Sequence, residues 1–541
     1  MRGVAARMGG GALVVVAAIL FAGASQPTPP TIVLTVNAQA GRHPISAYIY
    51  GLNFAKPRLA AAIQLPVNRW GGNSTDTYNW KLGSYNTGLD YYFENLSDCF
   101  LKPGRCTPAY RTFISANRVR GTGSLLNLPL VGRVARDAPR QHPVTCAFPA
   151  SVYGPQQSVD PYDTHCGNGK SNSGRPLSPS PARDSIAVGA SFYQGWLHDL
   201  ARRYGTARQG GVEFYELGNE PSLWDSTHRD MHPRPETASE LWRRSRQVTT
   251  LIRQVDRHAG ILGLSEWGWP AYFCTAADTF GSGCGPDGCT TSPDCRDHGH
   301  LPMAAWLLKQ FAAYDRRTGV RHLNYLDLHY YAQGGSGPDV TRSLWDPSYK
   351  DPSWIDDQID LIPRMKRWVA RYYPGTRVSL SEYNLSVTHN PVVNALIQAD
   401  TLGIFARQGL NLATRWPLAN DGGVIGEAFK MYRDYDGHHS EFGNTWVSSR
   451  STGQSKLAVY AAQRSGDRAY TVLVVNKTQR AFRGNLRLSG FAPADTAATW
   501  QWRGRPTIVH VASTPILNDG VDVIYPARSM TLYVIRPRTQ T

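Results

Sequence analysis

The sequence predicts an α/β protein in which a (β/α)8 TIM-like barrel is joined to a second, smaller antiparallel β-sandwich domain. Between about Tyr48 and Trp416, short apolar runs alternate with longer stretches of helical period, which is the rhythm of a parallel barrel. Beyond about Ser440 the helical period disappears and short strands follow one another. The 541 residues also exceed what one ordinary core accommodates. We therefore expect a barrel over 46–438 and a sandwich formed by 31–45 together with 439–538.

The N-terminal segment has the pattern of a secretory signal peptide. Arg2 and Arg7 precede an uncharged apolar run that ends at Leu20, and the small residues Ala22, Gly23 and Ala24 follow. The run is too short to span a bilayer, which requires roughly 20 apolar residues. We therefore expect a signal peptide over 1–24 and a secreted, extracellular protein without a membrane anchor. An uncleaved anchor is the alternative interpretation.

The individual elements follow in chain order. Runs with the β-branched and apolar content of strands are 31–36, 212–217, 261–264, 323–328, 377–380 and 410–415. Helical period is found over 191–204, 238–258, 303–318 and 355–372. The predicted strands of the sandwich are 455–462, 470–476, 484–488 and 531–536, and the strand at 31–36 is expected to complete it.

Two segments rich in cysteine interrupt this rhythm. Over 91–184 the sequence turns to Pro, Gly, Ser and four cysteines, which predicts a disulfide-stapled loop insertion. A second such loop covers 273–301. The eight cysteines form an even set that an exported chain oxidises to disulfides, although the sequence does not fix their pairing: Cys99, Cys106, Cys146, Cys166, Cys274, Cys284, Cys289 and Cys295.

The alternative for the second cysteine-rich loop is a zinc site. The four cysteines of this loop lie near His298 and His300 in the sequence, and both residue types are suitable ligands for zinc. The spacings lack paired CxxC elements, however, and the chain carries an export signal. We therefore favour two disulfides in this loop and expect no metal at the functional site.

The composition narrows the class of ligand. The net charge is +16, but the excess cations are mostly scattered arginines without a block of like charges, so we expect no nucleic-acid partner. An acidic glycan remains an alternative partner. The 15 Trp and 27 Tyr favour sugars as ligands, since aromatic rings stack on the apolar faces of sugars.

Glu220 and Glu382 are the candidate catalytic residues. Each lies at the end of a predicted strand, and the 162 residues between them fit about three β-α units, which places Glu220 on strand 4 and Glu382 on strand 7. In a barrel the C-terminal ends of the strands form the active face. Two carboxyl groups about 5 Å apart across this face would suit a retaining glycosidase, with Glu220 as acid/base and Glu382 as nucleophile. An exposed or salt-bridged carboxylate is the alternative for each.

Several ordered motifs, spread from Tyr50 to about Asn476, resemble glycoside hydrolase family 44. They include Arg69-Trp70-Gly71-Gly72-Asn73 with Tyr78-Asn79-Trp80, Asn219-Glu220-Pro221-Ser222-Leu223-Trp224, Glu266-Trp267-Gly268-Trp269, Asp327-Leu328-His329-Tyr330 and Ser379-Leu380-Ser381-Glu382-Tyr383-Asn384. Members of this family are endo-β-1,4-glucanases and xyloglucanases. The resemblance implies a retaining mechanism, the two roles given above, no required cofactor, and room for a structural calcium ion.

The candidate substrate-binding residues lie within these motifs or at other strand ends and loops. We expect Trp70, Trp345 and Trp416 to stack on sugars, with burial in the core as the alternative for each. Asn219 would hydrogen-bond a sugar 2-hydroxyl, and Glu266 is a third acid at a strand end with a substrate or network role. The full set is Arg69, Trp70, Asn73, Asn219, Glu266, His329, Tyr331, Trp345 and Trp416.

The predicted function is therefore a secreted, monomeric endo-hydrolase of plant cell-wall polysaccharide, cutting β-1,4-glucan backbones such as cellulose-type glucan and xyloglucan. One alternative is a retaining glycosidase that acts on polymers containing uronic acids, which would give the positive charge a purpose. The other is a non-catalytic barrel that binds carbohydrate. Intact Glu220 and Glu382 argue against the latter.

Overall fold

A computed structural model describes residues 31–335, 337–417, 423–505 and 507–538. The predicted signal peptide, 1–24, lies outside these residues. Among the described residues, no helix combines the length and the apolar character that crossing a membrane requires.

Eight parallel strands close into a barrel, which confirms the predicted fold class. Their spatial order around the barrel is their order along the chain, so each strand pairs with its neighbours in sequence and the eighth pairs with the first. Barrel strands 1 to 8 are Gly51–Asn53, Val67–Trp70, Gly123–Leu128, Phe214–Leu217, Gly260–Glu266, Tyr325–Tyr331, Arg377–Asn384 and Leu412–Arg415.

One main helix follows each barrel strand and packs outside it. These helices are Pro57–Ala62, Ala109–Arg120, Ala190–Tyr204, Ala238–Val255, Met303–Thr318, Leu361–Tyr372, Pro391–Gln408 and Gly423–Arg433, and two short helices lie at Ala150–Tyr153 and Trp224–Thr227. The helix Ala238–Val255 illustrates why they form. The side chain of Thr237 caps its first turn by accepting a hydrogen bond from the backbone N–H of Glu240, and its apolar residues recur on one buried face.

The sandwich is built mainly from the C-terminal strands, which form one continuous ten-stranded sheet around their own apolar core. Its strands are Thr31–Asn37, His43–Pro44, Thr445–Ser451, Leu457–Gln463, Tyr470–Asn476, Phe482–Ser489, Thr496–Trp502, Val509–Pro515, Gly520–Tyr525 and Ser529–Ile535. The pairing is antiparallel as predicted, with one exception. Thr31–Asn37 runs parallel to Phe482–Ser489 and antiparallel to Thr445–Ser451.

The helix Pro391–Gln408 joins the two parts. It is buried on almost every side from Val393 to Ala406, as expected for a helix that lies between barrel and sandwich. A Cβ atom at Gly403 would come within 2.4 Å of the Tyr460 ring, so the close approach of helix and sheet requires glycine there.

The expectation of one continuous loop insertion over 91–184 is wrong. The segment contains the helix Ala109–Arg120 and barrel strand 3, which separate a long loop after strand 2 from a longer one after strand 3. Both elements have weak sequence signals. The helix is rich in arginine and buries only Tyr110, Ile114 and Asn117, and the strand is six residues long with polar residues inside.

All eight cysteines form disulfides, as predicted for this set. The pairs are Cys99–Cys106, Cys146–Cys166, Cys274–Cys284 and Cys289–Cys295. The four cysteines of the second cysteine-rich loop are therefore not available as zinc thiolates, which removes the alternative considered for His298 and His300. Small strand pairs brace the loops: Ser84–Asn86 with Asn95–Ser97, Arg133–Ala135 with Ser185–Ala187, and Cys284–Gly285 with Gly288–Cys289.

Candidate active site

The C-terminal ends of barrel strands 5, 6 and 7 are irregular, and this irregularity directs polar side chains into the barrel mouth. The pairing register shifts between Leu264 and Glu266, between Asp327 and His329, and between Leu380 and Tyr383. Such bulges twist a strand locally and re-aim its side chains. Glu266, His329 and Glu382 all lie at or next to these shifts.

Glu220 was predicted on strand 4 and lies just beyond its end, since the strand stops at Leu217. Its backbone is in a left-handed conformation with φ of 48°. This conformation is rare for a residue other than glycine, and the following Pro221 disfavours it further. The backbone N–H of Glu220 donates to the carbonyl of Ser265 at 2.9 Å, which holds the turn in place. The side chain is 14 % exposed and Nδ1 of His329 lies 2.9 Å from its Oε1. Backbone strain of this kind is typical of functional sites.

Glu382 lies on barrel strand 7, also as predicted, and both of its oxygens are held. Nη1 of Arg69 donates to Oε1 at 2.6 Å and the hydroxyl of Tyr331 donates to Oε2 at 2.6 Å. The side chain is 6 % exposed, so it is reached only from the barrel mouth. A carboxylate clamped in this way has one orientation.

The two glutamates lie close together. One carboxyl oxygen of Glu220, one ring nitrogen of His329 and one carboxyl oxygen of Glu382 all lie within 4.8 Å of one another. These two carboxyl oxygens are thus at most 4.8 Å apart, which is closer than the ~6.5–9.5 Å between the carboxyl groups of inverting enzymes.

Arg69 forms the floor of this site and is fully buried. Its guanidinium bridges two carboxylates, with Nε and Nη2 donating to Glu216 at 2.6 and 2.9 Å and Nη1 donating to Glu382. Asn219 accepts from Nη2 at 2.9 Å. A Cβ at Gly71 would lie 2.2 Å from the guanidinium carbon, which explains the glycine two residues after the arginine.

His329 connects Glu220 to the barrel interior. Besides Glu220, it contacts the hydroxyl of Ser381 through Nε2 at 3.1 Å. Burial alone would lower the pKa of His329, but the carboxyl groups of Glu382, Glu216 and Glu220 outweigh burial and raise it to about 10. His329 is therefore an imidazolium that donates to Glu220.

The carboxyl groups of the site have different electrostatic environments. Burial raises the pKa of Glu220, and Glu382 adds to this while His329 opposes it. Burial would also raise the pKa of Glu216, but Arg69 and His329 lower it to about 2. A buried carboxyl group with a raised pKa in a cleft, such as that of Glu220, is suited to act as a general acid. The lowered pKa of Glu216 keeps it an anion that pairs with Arg69.

Three further residues of the predicted set form hydrogen bonds in the loops around Glu220. Asn219 donates to Oδ1 of Asn73 at 3.0 Å, and Asn73 in turn donates to the Asp90 carboxylate at 3.2 Å. Glu266 is 1 % exposed and accepts from the hydroxyl and backbone N–H of Ser222. Substrate binding by Glu266 is thus excluded in favour of its network role. Burial raises its pKa to about 8.

The three tryptophans have different positions. Trp70 is 5 % exposed and packs edge-on against Tyr78 and Trp196, so the expectation that it stacks on sugar is wrong and it is a core residue. Its side chain points away from the barrel mouth because it alternates with Arg69 along the strand. Trp416 is partly exposed at the end of barrel strand 8, next to Gly72.

Trp345 does not lie at the barrel mouth, in contrast to the prediction. The guanidinium of Arg407 covers its ring at 4.0 Å, and the residue lines depressions at the junction with the sandwich together with Trp446 and Lys477. Trp345 lies in the loop that follows barrel strand 6. The loop instead runs down beside the helix Pro391–Gln408.

Sequence reasoning missed three buried residues of the site. Glu216, Asp327 and Ser381 lie inside barrel strands 4, 6 and 7, fully buried and in contact with Arg69 or with one another. An acidic residue in the middle of an apolar strand is itself a signal, because an unpaired buried charge is costly.

Two buried carboxyl groups outside the barrel mouth suit the structural calcium ion that the family resemblance allows. Asp184 and Asp230 face each other, and repulsion from Asp230 adds to burial in raising the pKa of Asp184. Among the described residues, Oδ1 of Asp184 and both carboxyl oxygens of Asp230 have no hydrogen-bond partner. Calcium prefers such oxygen ligands.

Comparison with known proteins gives one consistent family. Residues 84–334 match the model of glycoside hydrolase family 44. In structure the chain is similar to CelM2, a bifunctional glucanase-xylanase from a metagenome library, with a TM-score of 0.89 and 36 % identity, covering 94 % of this chain and 100 % of that one. It is also similar to a family 44 xyloglucanase from Paenibacillus polymyxa, with a TM-score of 0.76 and 26 % identity over 94 % and 100 % of the two chains.

Two relatives similar in sequence are longer than this chain. Endoglucanase A of Paenibacillus lautus is 28 % identical over 520 residues, which are 87 % of this chain and 67 % of that protein. Beta-mannanase/endoglucanase A of Caldicellulosiruptor saccharolyticus is 28 % identical over 496 residues, which are 82 % of this chain and 34 % of that protein. The chain thus spans about a third of the latter's length.

Proposed function

This chain belongs to glycoside hydrolase family 44, and on that premise we propose that it is an exported endo-hydrolase that cleaves β-1,4-glucan backbones by double displacement. The observation that carries the mechanism is the placement of Glu220 and Glu382 within 4.8 Å of each other at the barrel mouth. Glu382 is the nucleophile and Glu220 is the general acid and base. The reaction requires no cofactor.

In the first step Glu382 attacks the anomeric carbon while Glu220 protonates the leaving oxygen. Arg69 and Tyr331 hold one oxygen each of Glu382 and so keep its carboxylate in a single orientation. His329 donates to Oε1 of Glu220, which leaves the proton on Oε2 for the substrate. Positioned groups of this kind convert binding energy into rate.

The charges of the site support the second step. Before attack, Arg69 and His329 are cationic, Glu216 and Glu382 are anionic, and Glu220 carries its proton. Formation of the glycosyl ester removes the charge of Glu382, and Glu220 has just delivered its proton, so the buried site remains neutral. Burial is the main cause that raises the pKa of Glu220, and loss of the Glu382 charge removes the repulsion that adds to it. Glu220 then serves as the base that activates water.

The substrate class is proposed from the relatives. CelM2 is named a glucanase-xylanase, and the Paenibacillus polymyxa protein is a xyloglucanase. Polysaccharides with a β-1,4-glucan backbone, namely xyloglucan and cellulose-type glucan of plant cell walls, are therefore the proposed substrates. Four disulfides fit an oxidising, extracellular location, and we propose that the protein acts there as a monomer.

A panel of polysaccharides tests the substrate. Reducing ends released from xyloglucan and carboxymethylcellulose are compared with those from glucuronoxylan and heparan sulfate. Release from the neutral-backbone glucans supports the proposal. Release from the uronic-acid polymers alone would transfer the function to that class, and binding without release from any polymer would mark a non-catalytic barrel.

Variants test the two roles. We expect Glu220→Gln and Glu382→Gln to lose activity by several orders of magnitude, with about 10² to 10⁴ from acid–base catalysis alone. Glu441→Gln is the matched control, because Glu441 is a partly exposed acid paired with Arg433 outside the mouth. Azide, an external nucleophile, distinguishes the two roles. With an activated aryl glycoside as substrate, Glu382→Ala should give a glycosyl azide of inverted configuration. Glu220→Ala should give a glycosyl azide of retained configuration. The opposite pattern would exchange the two roles.

A further inference from the structure

The hydroxyl of Ser381 lies at the centre of the buried polar cluster beneath Glu220. Its Oγ is 2.8 Å from Oε1 of Glu216 and 3.1 Å from Nε2 of His329, and it also contacts Oδ2 of Asp327. A serine hydroxyl has one hydrogen to donate and two lone pairs that accept. This one hydrogen and these two lone pairs must account for the hydrogen bonds to all three neighbours.

The count of hydrogens determines the state of Asp327. Glu216 is a carboxylate because Arg69 donates to both of its oxygens, so it accepts from Ser381. An ionised Asp327 would also only accept, and one hydroxyl hydrogen cannot serve both acids. If Asp327 carries a proton, it donates to Ser381, and Ser381 donates to Glu216. The remaining lone pair of Ser381 then accepts from Nε2–H of His329.

The surroundings of Asp327 favour its neutral form. The side chain is fully buried, Oδ1 accepts from the backbone N–H of Ser381 at 3.0 Å, and Oδ2 accepts from the hydroxyl of Ser265 at 3.0 Å. The titratable groups that face it are Glu216 on strand 4, His329 on its own strand and the phenol of Tyr272. Burial and Glu216 raise the pKa of Asp327, while His329 lowers it.

The charge balance of the site also favours a neutral Asp327. With Asp327 neutral, the cations Arg69 and His329 match the anions Glu216 and Glu382. An ionised Asp327 would add an unmatched buried charge, which is costly in a low-dielectric interior.

We propose that Asp327 is held as a neutral carboxylic acid and acts as a positioning residue, whose hydrogen bond to Ser381 fixes His329 as the double donor that orients Glu220. The proposal rests on the proposed role of Glu220 in catalysis. Asp327 itself touches neither the substrate nor the reacting atoms.

Infrared difference spectroscopy tests the protonation state without using catalysis. The spectrum of the double variant Glu220→Gln/Asp327→Asn is subtracted from that of Glu220→Gln, both at neutral pH. The proposal predicts loss of a carboxylic-acid carbonyl band, and loss of carboxylate bands would overturn it. Glu220→Gln/Glu216→Gln is the matched control, since it should lose carboxylate bands. If the asparagine variant does not fold, Asp327→Ala gives the same difference, because either change removes the carboxyl group.

The pH profile of kcat tests the positioning role. Asparagine keeps a neutral donor towards Ser381, so Asp327→Asn should keep kcat within about threefold. The alkaline limb of the pH profile, where kcat falls as Glu220 loses its proton, should stay in place. If Asp327 were ionised, its charge would raise the pKa of Glu220, and Asp327→Asn would remove that charge. The alkaline limb would then move to lower pH by about one unit or more, and this result would overturn the proposal. Asp327→Ala, which lacks the donor, should lower kcat by about tenfold at unchanged KM. Retained activity of Glu220→Gln would instead overturn the proposed function and leave the infrared result valid.

Discussion

The hydroxyl of Tyr331 donates a hydrogen bond of 2.6 Å to Oε2 of Glu382, the oxygen that Arg69 leaves free. Tyr331 lies on the strand next to Glu382, and the bulges of strands 6 and 7 bring the two side chains together. Burial and Glu382 raise the pKa of Tyr331, so its phenol stays protonated and remains a donor. The nucleophile is therefore held by one charged and one neutral donor.

Replacing Tyr331 by phenylalanine should slow the chemical step. A hydrogen bond to a charged group contributes about 1.5 to 3 kcal/mol, which corresponds to about 10- to 150-fold in kcat if it is lost from the transition state. KM should change little, since the hydroxyl contacts the enzyme's own carboxylate. Steady-state kinetics on xyloglucan measure both constants.

Tyr330→Phe is the matched control for this prediction. Tyr330 is the preceding residue of the same strand, and its side chain points to the opposite face, where it is buried. We expect its kcat to match that of the wild type. Equal losses in the two variants would show that the strand, rather than the hydrogen bond to Glu382, is affected.

Only part of this site could be predicted from the sequence. Glu220 and Glu382 could be predicted because each lies near the C-terminal end of an apolar strand, and these strand ends share one face of a barrel. Glu216 and Asp327 could not, since their roles depend on which strands become neighbours when the barrel closes. Barrel strand 3 was hidden because its six residues lie between two long loops. Trp345 was misplaced because the path of a loop depends on packing, which no local pattern encodes.

Changing His329 should move the alkaline limb of the pH profile. The imidazolium lowers the pKa of Glu220, so without it this pKa rises further. The acid must be protonated to act, and activity is lost as the pH rises through its pKa. In His329→Asn the alkaline limb of kcat/KM should therefore shift to higher pH, while kcat falls because Glu220 is no longer oriented. A limb that moves to lower pH would contradict this assignment.

Arg69 should be essential for stability as well as for activity. It is fully buried and paired with two carboxylates, and removal of one partner from a buried ion pair costs about 3 to 5 kcal/mol. Arg69→Met should lower the free energy of unfolding by this amount in urea denaturation. Arg69→Met/Glu216→Gln should recover part of the stability, because one orphaned charge is removed. Activity should stay low in both variants, since Glu382 loses its clamp.

A buried ion pair far from the active site should connect the two domains. Nζ of Lys477, which follows a sandwich strand, lies 2.8 Å from the carboxylate of Asp400 on the helix Pro391–Gln408, and both side chains are almost fully buried. Thr341 from a barrel loop and Tyr460 from the sandwich also donate to this carboxylate, at 2.6 and 2.5 Å. Barrel and sandwich thus share one buried anion.

Lys477→Met should leave that anion without its cation and lower the free energy of unfolding by about 3 to 5 kcal/mol. Lys477→Met/Asp400→Asn should recover much of the loss, because the amide retains hydrogen bonding without the charge. Lys456→Met is the control, as Lys456 is an exposed lysine nearby, and surface charges contribute only about 0 to 1 kcal/mol. Activity measured well below the melting temperature should be unchanged in all three. If Lys477→Met unfolds like the Lys456 variant, the pair does not join the domains, and the apolar contacts of the helix alone must do so.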